Sequence, residues 1–153
     1  MERQAQSSER LEGLVIEYRM LQGLSADLQQ RINLLSSLLS ELQAASSTIE
    51  EVEKVGEGAE VLIPIGGASY LKAKLAHGGR VVVGLGAGVA VDKSLEDAKK
   101  YLEKRMEELS QALSSVQSQL VSVATRMAQL EPKIREALRE EAKRAGQKDA
   151  GGA

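Results

Sequence analysis

Two long heptad repeats, separated by a short glycine-rich segment, constrain the fold of this chain more than any other feature. In the first, ten of the twelve positions spaced alternately by three and four residues from Leu11 to Ile49 are apolar. In the second, from Leu95 to Ala137, only Lys99 interrupts the apolar series. Apolar residues at this spacing form the seam of a coiled coil rather than the broader stripe of a surface helix. The sequence therefore predicts two long helices that each need a helical partner.

Glycines set the expected ends of these helices. The first is predicted over residues 9–55 and the second over residues 93–146, because glycines follow each of them. At 1.5 Å per residue, each helix would be on the order of 70 Å long. Residues 1–8 and 147–153 are polar, and we expect them to be flexible termini.

The two seams are predicted to pack on each other as an antiparallel coiled coil. They have nearly equal lengths, and the compact segment between them makes each the nearest partner of the other. Equal spacing from that segment places Leu14 near Ile134, Tyr18 near Leu130 and Leu11 near Ala137. Both chain termini should therefore meet at one tip of the coiled coil.

Residues 56–92 break the heptad pattern and carry four short apolar runs with glycine-containing turns between them. The runs cover residues 61–65, 70–75, 81–85 and 89–91. This pattern predicts two successive β-hairpins, and thus an α+β fold. The unbroken run Val81, Val82 and Val83 should be covered on both faces. Because two hairpins bury too little surface to be stable alone, we expect strands of other subunits to complete the sheet.

The start of the second helix carries its own signal. Ser94 is expected to accept a hydrogen bond from an early helical amide, and Asp97 lies three residues later, as in a capping box. Acidic residues in this first turn also suit the positive end of the helix dipole.

Composition narrows the class of protein. The chain has no Phe, Trp or Cys, yet 42% of its residues are hydrophobic, which is typical of long buried seams rather than compact centres. A net charge of −2 argues against nucleic-acid binding, and the lack of cysteine excludes disulfides and thiolate metal sites. No apolar run suggests a membrane span or a signal peptide. We therefore expect a cytoplasmic protein without membrane contact.

No motif in the chain indicates catalysis. The glycines of residues 84–88, GLGAG, resemble a phosphate-binding loop, but a strand rather than a helix is predicted to follow them. His77 is the single histidine, so it has no second histidine or cysteine with which to bind a metal, and we expect it to be a solvated turn residue. The sequence thus predicts a protein that is not an enzyme and needs neither cofactor nor metal.

The tip is predicted to be the looser end of the coiled coil. Gly13 and Gly23 lower helix stability there by about 1 kcal/mol each relative to alanine. Pro132 removes a backbone hydrogen bond and is expected to kink the second helix. Apolar residues also fall off the seam in this region, at Ile16 and Leu24 among others. We therefore expect accessible apolar surface at the tip.

The order of these parts resembles the α-class subunits of prefoldin, a hexameric chaperone. The likeness covers most of the chain, and it is most specific in VLIPIGGASY at residues 61–70 and in VGLGAGVAVDKSLEDA at residues 83–98. It implies a hexamer of two α-class and four β-class subunits, whose hairpins join in a β-barrel. It also implies that the tips capture non-native polypeptides without ATP and pass them to a group II chaperonin.

Carried onto this chain, the resemblance assigns two sets of residues. The client-binding residues would be Leu11, Leu14, Val15, Tyr18, Leu21, Leu24, Leu130, Ile134 and Leu138. The oligomerisation residues would be Val61, Ile63, Ile65, Tyr70, Leu71, Leu75, Val81, Val83, Leu85, Val89 and Val91. The alternative is a structural scaffold, in which the hairpins oligomerise the chain and the tips bind no client.

Overall fold

The computed structural model describes residues 1–152, which form a helix, four strands and a second helix. Helix α1 spans Glu2–Val55 and helix α2 spans Leu95–Ala150. The strands are β1 (Glu60–Gly66), β2 (Ser69–Lys74), β3 (Arg80–Gly86) and β4 (Val89–Ser94). This order confirms the predicted α+β fold with two hairpins between two long helices.

Both helices extend further toward the chain termini than the sequence pattern predicted. Helix α1 begins at Glu2, whereas the pattern placed its start at residue 9, and α2 continues past Gly146. Arg144 donates a hydrogen bond to the hydroxyl of Ser7, which ties the first turns of α1 to the last turns of α2. A single glycine weakens a helix by only about 1 kcal/mol relative to alanine, so Gly146 does not end α2 by itself.

Helix α2 begins at Leu95, two residues after the predicted start at residue 93, with the expected cap. The amide of Asp97 donates a hydrogen bond of 3.1 Å to the hydroxyl of Ser94, the last residue of β4. The cap satisfies one of the amides that lack a partner in the first turn of a helix, and strand β4 therefore leads directly into α2.

Each hairpin is a separate two-stranded antiparallel sheet. Strand β1 pairs with β2, and β3 pairs with β4, with a register shift beside each turn. The turns place Ala68 and Ala87 in the left-handed region, at φ values of 56° and 50°. The predicted hairpin at the GLGAG motif is thus confirmed, since β4 follows those glycines directly.

The chain divides into two compact units, and the first consists of residues 35–112. We call it the hairpin unit. Its core packs β3 of the second hairpin against both helices, through Val83, Ile49, Ala98 and Leu102. Val83 is only 7% exposed, but Val82 is 69% exposed. The expected covering of both faces of this strand is therefore not found within residues 1–152, because alternate strand residues point to opposite faces and only one face meets the helices.

Two polar contacts stabilise the hairpin unit. The ammonium of Lys99, which interrupts the second seam, lies 2.5 Å from a carboxylate oxygen of Glu53 on α1. The hydrogen bond to this carboxylate raises the pKa of Lys99. His77 is not the solvated turn residue that was expected: its Nδ1 accepts a hydrogen bond of 2.8 Å from the amide of Gly79, and its Nε2 lies 3.6 Å from the carboxylate of Glu57.

The second compact unit contains residues 1–34 and the described part of residues 113–153. We call it the terminal coiled coil. Its buried residues are Leu28, Val123, Leu130 and Ala137. All four occupy predicted seam positions, and the remaining predicted seam positions of α1 and α2 are at least partly buried. The predicted heptad seam is confirmed in both units.

Among the described residues, neither helix has an apolar stretch long enough to cross a bilayer.

Candidate functional site

The terminal coiled coil exposes apolar side chains that its own seam does not use. Among them are Ile16, Met20 and Leu24 on α1 and Leu138 on α2, and Leu34 and Val121 are exposed as well. Met20 is 71% exposed and Leu138 is 50% exposed. Single exposed leucines are common in proteins, but several apolar residues within one short coiled-coil segment are a candidate binding surface.

An open cavity of about 360 Å³ lies between the helices of the terminal coiled coil. It is lined by Val15, Tyr18, Arg19, Gln22, Glu131, Ile134 and Arg135. The apolar side chains are flanked by charged and amide groups. This arrangement offers a place for one apolar side chain, with polar groups at its edge.

Tyr18 forms a polar contact at this cavity. Its hydroxyl donates a hydrogen bond of 3.0 Å to Oε1 of Glu131, and Arg135 lies 3.7 Å from the other oxygen of the same carboxylate. The bond to Glu131 raises the pKa of Tyr18, because the neutral phenol is the donor. The contact also agrees with the predicted antiparallel pairing, which placed Tyr18 beside Leu130, the neighbour of Glu131.

A bidentate ion pair joins the two helices of the same unit. The guanidinium of Arg126 donates to both carboxylate oxygens of Glu17, over 2.7 Å and 3.1 Å. These bonds lower the pKa of Glu17 and raise that of Arg126. Since the two residues come from different helices, the pair fixes their register.

The predicted client-binding residues differ in how accessible they are. Leu24 and Leu138 are exposed, while Val15, Tyr18 and Ile134 line the cavity. Leu11, Leu14 and Leu21 are partly buried in the seam. Leu130 is fully buried, with 0% of its surface exposed. A seam residue that the opposite helix covers is inaccessible to a client unless the coil opens, which argues against the assignment of Leu130 to the contact surface.

Sequence reasoning also missed two apolar residues at the terminal coiled coil. Met20 was not considered at all, and Ile16 was noted as off the seam but left out of the predicted site. Both lie on α1 at heptad positions outside the seam, four residues apart and therefore on neighbouring parts of one helix face. A plot of the apolar residues outside the seam, rather than of those within it, would have identified Ile16 and Met20.

The first hairpin presents a second apolar surface. Leu62, Ile63, Ile65, Tyr70 and Leu71 are all exposed on β1 and β2. On the second hairpin, Leu85, Val89 and Val91 are exposed, whereas Val81 and Val83 pack on the helices of the same chain. This packing argues against the assignment of Val81 and Val83 to oligomerisation, and Leu62 and Val82 are exposed hairpin residues that the assignment left out.

Comparison with known protein families shows to which family a chain with these helices and hairpins belongs. A family model described as a prefoldin subunit matches residues 21–140. The chain belongs to the prefoldin family. A prefoldin subunit alpha of Pyrococcus horikoshii is 34% identical over 86% of this chain and 90% of its own length. One of Thermofilum pendens is 33% identical over 86% of this chain and 99% of its own. Another, of Thermococcus onnurineus, is 41% identical over 68% of this chain and 71% of its own.

Solved structures show the same prefoldin fold. The cryo-EM structure of filamentous PFD from Methanocaldococcus jannaschii aligns with a TM-score of 0.65 and 21% identity. The alignment covers 76% of this chain and 97% of that chain. Family and fold together confirm the resemblance seen in the sequence and support a prefoldin chaperone role for this subunit.

Proposed function

We propose that this prefoldin subunit holds non-native polypeptides on the exposed apolar surface of its terminal coiled coil, without ATP, and passes them to a group II chaperonin. The observations that carry the proposal are the accessible apolar side chains Ile16, Met20, Leu24 and Leu138, together with the open cavity at Tyr18 in the same unit. Unfolded chains expose apolar side chains of every kind, so a shallow apolar surface suits them better than a shaped pocket.

The size of this surface makes a single contact weak. A patch of about 300 Å² gives roughly 7 kcal/mol at 25 cal/mol per Å². Association costs a comparable amount, about 4–15 kcal/mol in lost motional freedom. Useful binding therefore requires several such surfaces on one assembly, because tethering raises the effective concentration of each additional contact. Weak individual contacts also allow release without ATP.

The hairpins are the proposed assembly elements. An isolated two-stranded hairpin is marginally stable in water, and both strands of the first hairpin expose apolar side chains such as Ile65 and Tyr70. Strands of β-class prefoldin subunits would cover these side chains in a shared β-barrel, in a complex of two α-class and four β-class chains. We expect this complex to act in the cytoplasm.

Light scattering by a denatured client tests the proposal. The chain assembled with β-class subunits should suppress client aggregation, and the triple variant Ile16→Ser, Met20→Ser, Leu138→Ser should lose most of this activity. Val121→Ser is the matched control, because Val121 is an exposed apolar residue of the same unit that is not among the residues of the proposed surface. If the wild-type complex fails to suppress aggregation, the scaffold alternative is correct; if the triple variant suppresses it fully, the site is wrong.

A further inference from the structure

Helix α1 carries a second heptad series on a face that α2 does not cover. Leu24, Asp27, Arg31 and Leu34 follow one another at spacings of three, four and three residues, and all four are exposed. We call these four residues the second seam. Spacings that alternate between three and four define a stripe able to pack against another helix.

The second seam is symmetric about Gln29. Positions equally far from residue 29 carry matching side chains: Leu24 matches Leu34, and Asp27 matches Arg31. A surface of this kind is complementary to itself under a two-fold rotation, which is the property that an isologous interface requires. A different partner would have no need for such symmetry.

We propose that the second seam binds the second seam of another copy of this chain, with the two α1 helices antiparallel and a two-fold axis at residue 29. The axis pairs Leu24 with Leu34 of the other copy and Asp27 with Arg31 of the other copy, twice each. Positions of the two heptad types then face one another, as they do in antiparallel coiled coils.

Asp27 and Arg31, in the middle of the seam, favour the antiparallel pairing about residue 29 over other pairings. Within residues 1–152, neither Asp27 nor Arg31 forms an ion pair. A parallel pairing would place Asp27 against Asp27 and Arg31 against Arg31. An antiparallel pairing shifted by one heptad would place each charge against an apolar residue instead, which leaves it buried without a partner. Only the axis at residue 29 gives both charges an opposite partner.

The exposed side chains beside the proposed axis leave an open gap between them. A shallow depression of about 310 Å³ is lined by Asp27, Gln30, Arg31 and Leu34, and it would receive side chains of the facing helix. Four positions per copy make a short interface, so we expect weak association that appears at high protein concentration.

Charge reversal tests the pairing in the full-length chain. Sedimentation velocity should show self-association of the wild type, and Asp27→Arg and Arg31→Asp should each weaken it by about tenfold or more, because two like-charge pairs would then meet. An equimolar mixture of the two variants should restore association, since every facing pair is again of opposite charge. Glu9→Arg and Arg10→Asp are controls with the same charge changes outside the seam, and they should associate like the wild type.

Spin labels measure the orientation. Cysteine is absent from the chain, so Gln30→Cys and Gly23→Cys each give one label, at equivalent heptad positions. Antiparallel pairing predicts offsets along the helix axis of about 3 Å between labels at residue 30 and about 18 Å between labels at residue 23. Both signals should vanish when Asp27→Arg is added.

Several results would overturn the pairing. They are a wild type whose sedimentation is independent of concentration, single variants that associate like the wild type, a mixture that fails to recover, or equal distances at the two labels. Because the charge variants leave Ile16, Met20 and Leu138 intact, they should suppress client aggregation at least as well as the wild type. A failed pairing is thereby distinguished from a failed client site.

Discussion

Replacing Leu130 by alanine should destabilise the terminal coiled coil, whereas the same change at Leu138 should not. Leu130 is completely buried, and Leu138 is half exposed. Truncating a fully buried leucine costs about 2–5 kcal/mol, since it removes apolar contacts and leaves a cavity. At Leu138 the loss should stay below about 1.5 kcal/mol, because half of the side chain is already in water.

Thermal unfolding followed by circular dichroism separates the two variants. A loss of about 3 kcal/mol corresponds to a fall in Tm of roughly 6–12 °C for a chain of this size. Leu138→Ala should shift Tm by only a few degrees but reduce suppression of client aggregation at temperatures where both variants are folded. Equal Tm values for Leu130→Ala and the wild type, or full chaperone activity of Leu138→Ala, would refute the division into a seam residue and a contact residue.

Three further predictions concern the ion pair, a turn and an assembly surface. Arg126 holds the pKa of Glu17 below its ordinary value of 4.5, so the stability that the pair contributes is complete above pH 4.5 and is lost as the pH falls through the lowered pKa. The difference in Tm between the wild type and Arg126→Gln should therefore disappear in acid. A difference in Tm that does not depend on pH would contradict this prediction. Ala87 has a φ of 50°, so Ala87→Gly should stabilise the second hairpin by about 0.5–1 kcal/mol in denaturant unfolding. The control Ala90→Gly, within strand β4, should destabilise the hairpin. A loss of stability in both variants would exclude strain at the turn. Ile65→Asp should lower the native mass of the complex with β-class subunits without changing helix content, and an unchanged mass would show that this residue lies outside the assembly interface.

The helices and the hairpins were predictable because their signals are local and repeated. Every predicted seam position from Leu11 to Ile49 is at least partly buried. Each glycine-containing turn joins the strands that it was expected to join. The helix cap at Ser94 was equally predictable, because the hydrogen bond that it accepts from the amide of Asp97 spans only three residues. Such features depend little on the rest of the molecule.

The accessible surface was harder to predict because burial depends on partners distant in sequence. Leu130 and Leu138 were both assigned to the client surface, but Leu130 occupies a seam position and is fully covered, whereas Leu138 lies outside the seam and stays half exposed. Val82 and Val83 show the same limit in the second hairpin, where the helices cover one face of the strand. The environment of His77 depends on Glu57, twenty residues earlier, and no local pattern signals that contact.

Site-specific photo-crosslinking tests the central claim most directly. A photoreactive amino acid would replace either Leu138 in the terminal coiled coil or Ile65 in the first hairpin, and the assembled complex would be illuminated with a denatured client. The account predicts that the client crosslinks to position 138, and that position 65 crosslinks only to partner subunits. Client crosslinks at position 65 with none at position 138 would contradict it.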